Sequence, residues 1–217
     1  KDYPIKELGR FFAAKNAPRN GWITRGVQVP ETVGGHTMGL IWLINLLSYY
    51  KQIDAYSEMG LEHSDLEKLR RMVEFHDIAE GITGDIPHAS HNAGTREQER
   101  RLMRRFSWLG IYVKPTLDLY EAYTLYDEFT KQVTLVSRIA HDLDSLDIVI
   151  QGRSILESRS SCGDRTQLSC LVKEAESRIT TQQIKKLLPL ARKINMISSE
   201  SFAHTPSSYV KNYYFPD

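Results

Sequence analysis

Apolar side chains recur along this chain every three to four residues, and no run alternates with the period of two that a half-buried strand requires. The pattern predicts an all-α fold. A first helix is expected over residues 4 to 15, with Ile5, Leu8, Phe11 and Phe12 on one face. The stretch NAPRNGWITRGVQVPETVGG, rich in Gly, Pro and Asn, then interrupts the helical pattern. From His36 to Tyr50 the run HTMGLIWLINLLSYY is apolar nearly all round, as in a central buried helix, and its strongly ionisable residue is the histidine that heads it. The next helix covers 62 to 80, with Leu66, Leu69, Val73 and Phe75 to Ile78 turned inward and Gly81 as its C-terminal stop. Residues 95 to 109 carry charge on most faces around a stripe of Leu102, Met103 and Phe106, the mark of a solvated outer helix. Helices over 114 to 127, 130 to 156 and 167 to 196 complete the set, and an aromatic, irregular tail, SFAHTPSSYVKNYYFPD, follows.

Composition narrows the class. With 217 residues and 41% hydrophobic content, the chain can close one large core, so a single domain over 1–217 is the simplest organisation. A formal net charge of +1 supplies no long-range field for a nucleic acid polymer or an anionic membrane. No apolar run approaches the roughly 20 residues that span a bilayer, and KDYPIKELGR lacks the apolar core of a signal peptide. Cys162 and Cys170 match neither a disulfide framework nor a paired-thiol metal site. These features lead to the expectation of a soluble, intracellular, cytoplasmic protein.

Chemistry concentrates in EFHDIAEGITGDIP, residues 74 to 87. On a helix, His76 and Glu80 lie one turn apart, and Asp77 is a neighbour of Glu80 through its three-residue spacing. Three ionisable groups among Phe75, Ile78 and Ile82 would cost several kcal/mol if buried unpaired. A divalent metal relieves that cost, because imidazole and carboxylate together suit Zn, Fe, Mn, Co or Ni. A His-Asp pair cannot fill a coordination sphere alone. His36 interrupts the most apolar helix, and RIAHDLDSLDIVIQG at 138 to 152 offers His141, Asp142, Asp144 and Asp147 as competing candidates. Helical register favours Asp144 as the inward carboxylate, with Asp147 three residues on at the same side and Asp142 turned about 160° away.

The order of His36, then His76-Asp77 with Glu80 and GDIP, then Asp144 in LDSLDIVIQ, resembles the HD-domain metal-dependent phosphohydrolases. Within them the upstream PRNGWITRGVQVPETVGGH makes the chain similar to the 5′-deoxynucleotidases. The resemblance covers about residues 5 to 155 and thins over 156–217. It implies an all-α HD-domain helical bundle with a metal site between central helices. It implies metal ligands at His36, His76, Asp77 and Asp144 for a divalent ion (Co, Mn, Zn, Fe, Ni or Mg), Glu80 as the proton-transfer residue, and Asp85 at the sugar 3′-hydroxyl or the attacking water. It also implies substrate contacts from Arg19, Trp22 and Arg25, a deoxynucleoside 5′-monophosphate as substrate, and a homodimer. Family members often carry an acidic residue just before the first histidine. Gly34-Gly35 stand there in this chain, so a carboxylate that orients His36 is expected to be missing. Relatives sharing the HD skeleton act on cyclic nucleotides, nucleoside triphosphates or guanosine tetraphosphate, and a non-catalytic binding domain is the alternative outside enzymes.

Overall fold

The computed structural model describes residues 3–49, 60–87, 90, 92–110, 119–157 and 163–193. Their regular elements are helices, and the β pairing among the described residues is an isolated bridge between Pro18 and Thr32. Helix α1 (Tyr3–Phe12) runs into a 3₁₀ turn at Ala13–Asn16, and α2 (Asn20–Ile23) is a single turn within the Gly- and Pro-rich stretch. The apolar helix α3 spans Val33–Tyr49. It begins three residues before His36 because Thr32 caps it, its hydroxyl accepting from the Gly35 N–H at 3.0 Å.

The helix expected over 62 to 80 is shorter. Helix α4 (His63–Phe75) opens on a capping box between Glu62 and Asp65 and stops at His76. Beyond it the backbone tightens: the N–H groups of Ile78, Glu80 and Gly81 bond to the carbonyls of Phe75, Asp77 and Ile78, three residues back. The short α5 (Glu80–Thr83) follows. Gly81 is therefore no helix stop. A Cβ on it would lie 2.2 Å from Phe11 O and 2.7 Å from Ala14 N, so the glycine lets this turn press against the end of α1.

Helix α6 (Ala93–Gly110) matches its expected span. Residues 111–118, where the next helix was to begin, lie outside the described residues, and α7 (Ala122–Lys131) runs past the expected end at 127. Gln132, at φ 52°, ends it in the left-handed region. The central helix α8 spans Leu135–Glu157. Thr134 and Ser137 cap it reciprocally, each hydroxyl accepting from the other's backbone N–H at 3.1 Å.

The single helix expected over 167 to 196 is three: α9 (Arg165–Arg178), α10 (Gln182–Lys185) and α11 (Leu188–Ala191). Asp142 causes the first break, its carboxylate accepting from the N–H groups of Thr180 at 3.0 Å and Thr181 at 2.6 Å. Pro189 sits at the start of the last turn, where a missing N–H costs nothing. Residues 194–196 and the aromatic tail lie outside the described residues.

Helix α8 packs against α3, α4, α7, α9, α10 and α11. It contributes to two apolar clusters: Leu143 and Leu146 join Leu40, Ile44, Met72 and Phe106, while Ile148 and Val149 join Trp22, Val27, Leu168 and Val172. Each fully buried large side chain contributes about 1.5–3 kcal/mol relative to exposure. Members of both clusters line one cavity of about 410 Å³.

Candidate active site

Four of the expected residues meet beside that cavity: His76, Asp77 and Asp144 line it, and the buried His36 lies against the two carboxylates. His36 on α3 is fully buried and His76, at the end of α4, nearly so. The His36 and His76 rings are tilted against each other with centroids 5.4 Å apart. His36 Nε2 lies 3.0 Å from Asp144 Oδ1 and 3.9 Å from Asp77 Oδ2, and His76 Nε2 lies 2.9 Å from Asp77 Oδ2. Three elements distant in sequence supply this cluster.

The other ring nitrogens settle the protonation pattern. His76 Nδ1 is 2.8 Å from Val73 O, and His36 Nδ1 is 2.7 Å from Asp147 Oδ2. Carbonyl and carboxylate oxygens only accept, so each Nδ1 carries a proton and donates it. In a neutral imidazole, Nε2 is then a lone pair aimed at a carboxylate oxygen. Both Nε2 atoms are buried, and neither makes a hydrogen bond. Acceptors gathered against acceptors at such distances require a cation between them. A proton on His36 can serve as such a cation. Burial and Arg19 push the His36 imidazole down, but Asp144 and Asp147 outweigh them and bring its pKa to about 10. Burial raises the Asp144 and Asp77 carboxylates, yet His36 and His76 hold both below the usual range. One ligand atom each of His36, His76 and Asp144 lie within 4.8 Å of one another, a mixed imidazole and carboxylate set that suits a divalent transition ion, and Asp77 stands beside His76.

The cavity walls carry the remaining expected residues. Arg19 is held beside the cluster by backbone pairing, its N–H bonding to Glu31 O at 3.0 Å. Its NH1 is buried without a hydrogen-bond partner. Burial lowers its pKa, but Asp144, Asp77, Glu31 and Asp85 more than reverse that, so it stays charged. Glu80 is half-buried with Oε2 unpartnered, and burial, followed by Asp77 and Asp85, raises its pKa far above the carboxylate range. Asp85 accepts from Gly21 N–H at 3.3 Å, and its own carbonyl accepts from Asn20 Nδ2 at 2.6 Å. Arg25 lines the same cavity, with NH1 donating to Gly21 O at 2.7 Å.

Trp22 lines the same cavity; it is only 2% exposed, its ring belongs to the second apolar cluster, and its Nε1 donates to Glu31 Oε1 at 2.9 Å. One expectation needs correction: His36 does not lack an orienting carboxylate. Asp147 supplies it from 111 residues along the chain, and so faces His36 instead of assisting Asp144. Asp142 caps the Thr180–Thr181 turn and is spent on structure.

The cavity also takes residues that sequence reasoning left out. Glu99, Arg96 and Arg100 come from α6, expected to be merely solvated, and Tyr126 and Arg178 from α7 and α9, while His141, one of the competing candidates, lines it from α8. Glu99 is buried and accepts from Tyr126 Oη at 2.9 Å. A signal for Glu99 existed: it is in helical register with Met103 and Phe106, four and seven residues on.

A model of the HD domain family matches residues 13–188. The chain belongs to the HD domain family. The match extends past residue 155, where the sequence resemblance thins, and takes in α9 and α10. Among curated HD relatives, 5′-deoxynucleotidase HDDC2 of Danio rerio is 27% identical over 156 residues, 69% of this chain and 68% of that protein. The proteins of the same name from Xenopus laevis and Homo sapiens are 30% and 29% identical. There the matched segment spans 63% of this chain and only 61% and 60% of the relatives' own lengths. Solved structures share the fold. A conserved hypothetical protein from Pyrococcus furiosus superimposes with a TM-score of 0.62 at 22% identity, covering 88% of this chain and 99% of that one. A protein from Magnetospirillum magnetotacticum, described as a predicted metal-dependent phosphohydrolase, gives 0.57 at 19% identity, covering 86% and 90%.

Proposed function

We propose that this HD domain is a metal-dependent phosphomonoesterase that hydrolyses deoxynucleoside 5′-monophosphates to deoxynucleosides and phosphate. The observation that carries the reading is the pair of buried, unbonded imidazole Nε2 atoms beside the Asp77 and Asp144 carboxylates, which line a cavity together with Arg19. A volume of about 410 Å³ lies within the range of small-molecule sites. The relatives named 5′-deoxynucleotidase support the substrate class.

His36, His76, Asp77 and Asp144 would hold the divalent ion. When bound, the ion supplies Lewis-acid polarisation of the phosphoryl group and acidification of water. Arg19 directs its unpartnered NH1 at a phosphoryl oxygen, where a guanidinium matches the acceptor geometry. Glu80 keeps a proton at neutral pH and gives it to the departing 5′ oxygen. Asp85, fixed from one side by Gly21, accepts a sugar hydroxyl.

A substrate panel on metal-loaded protein tests this. Inorganic phosphate should appear from dAMP, dGMP and dUMP, with little from the ribonucleotides and no pyrophosphate or triphosphate from deoxynucleoside triphosphates. Metal-loaded protein that frees no phosphate from any monophosphate would overturn the reading, and triphosphate release would move it to another HD substrate class.

A further inference from the structure

Asp147 reaches the buried His36 because residue 39 is glycine. A Cβ there would lie 2.9 Å from Asp147 Oδ1, so the carboxylate occupies the space that a side chain would take. A second acid joins it. One oxygen each of Glu31 and Asp147 and one nitrogen of His36 all lie within 4.8 Å of one another. Glu31 faces the other way as well: Oε1 accepts from Trp22 Nε1 at 2.9 Å and stands 4.0 Å from Arg19 Nε. Two carboxylates this close repel unless donors and positive charge divide them, and His36 Nδ1–H on one side and Arg19 on the other do so.

We propose that Asp147 and Glu31 are a single pair of positioning residues: Asp147 fixes the tautomer and aim of His36 toward the metal, and Glu31 fixes Arg19 toward phosphate. The pair thereby couples the two halves of the site. A carboxylate behind a metal-binding imidazole holds its orientation and raises its basicity, and loss of such a partner costs about 10- to 100-fold in metal affinity. The proposal rests on His36 being a metal ligand, as in the proposed function.

The test uses the full chain and two probes, Mn²⁺ or Co²⁺ by chelator competition and inorganic phosphate on the metal-loaded protein. Asp147→Asn and Gly39→Ala should each weaken metal binding about 10- to 100-fold. The Gly39 variant does so with the carboxylate intact, by displacing it. Proton and nitrogen NMR of the chain loaded with diamagnetic Zn²⁺ should show a downfield His36 Nδ1–H, bonded to the Asp147 carboxylate, in the wild type and an upfield shift of it in both variants. Glu31→Gln should keep the metal affinity and weaken phosphate binding, raising KM more than it lowers kcat. Wild-type protein that binds neither ion would overturn the metal reading itself. Wild-type binding with unchanged affinity in both the Asp147 and Gly39 variants would overturn only the positioning role.

Discussion

Glu80 stands in the cavity wall with Oε2 buried and unpartnered, and burial, reinforced by Asp77 and Asp85, keeps it protonated. In the unfolded chain a glutamate releases its proton near pH 4.3, to within about a unit. Above that pH the folded state binds one proton more than the unfolded state, so stability falls as pH rises until the folded group also ionises. Glu80→Gln removes this penalty. Thermal unfolding of the metal-free variant should show a higher midpoint than wild type at about pH 8 and none of that gain at about pH 4, following the same linkage. Turnover of the metal-loaded variant should fall about 10²- to 10⁴-fold, the usual worth of a general acid. At this scale residue type was readable and direction was not. Trp22 and Arg19 stand three apart in one loop, yet Trp22 is buried in a core while Arg19 keeps an unpartnered N–H in the cluster's field. Their surroundings come from distant helices.

Helices were legible where the apolar period was long and uninterrupted, as in α3, α6 and α8. Asp164 accepts from the N–H groups of Thr166 and Gln167 and starts α9 two residues before the expected 167. Ends set by distant contacts have no such local cap. The break after Arg178 depends on Asp142 from α8, and the tight turn after Phe75 on the backbone of α1 against Gly81. That turn carries His76, Asp77 and Glu80, so its packing sets the aim of the site. Gly81→Ala should force Phe11 O away, destabilise the fold by about 1–3 kcal/mol as overpacking does, and lower metal affinity together with stability. Denaturant unfolding alongside metal titration checks both.

Across the whole molecule, the proposed metal centre joins α3, the turn after α4, and α8. An ion held there binds the folded chain and not the unfolded one, so it stabilises by mass action, by about 2.7 kcal/mol at a hundred times its dissociation constant. A chelator should therefore lower the unfolding midpoint of wild-type protein. Asp144→Ala should abolish that response, whereas Asp142→Ala should keep it while lowering stability, since its carboxylate only caps Thr180 and Thr181. Differential scanning calorimetry with and without metal separates the two. No helix among the described residues is long and apolar enough to cross a membrane.

Sequence alone specified the helical class, the buried character of α3 and the residue types that gather a cation, because periodicity and the cost of burying charge act on neighbours a few positions apart. Only the tertiary structure decided which carboxylate serves which nitrogen. Asp142, Asp144 and Asp147 lie within six residues on one helix, yet one caps a turn, one faces Nε2 of His36 and one holds its Nδ1. Helical rotation turns Asp142 about 160° from Asp144 and leaves Asp147 on Asp144's side, but what each meets there depends on helices whose distance along the chain no local pattern records.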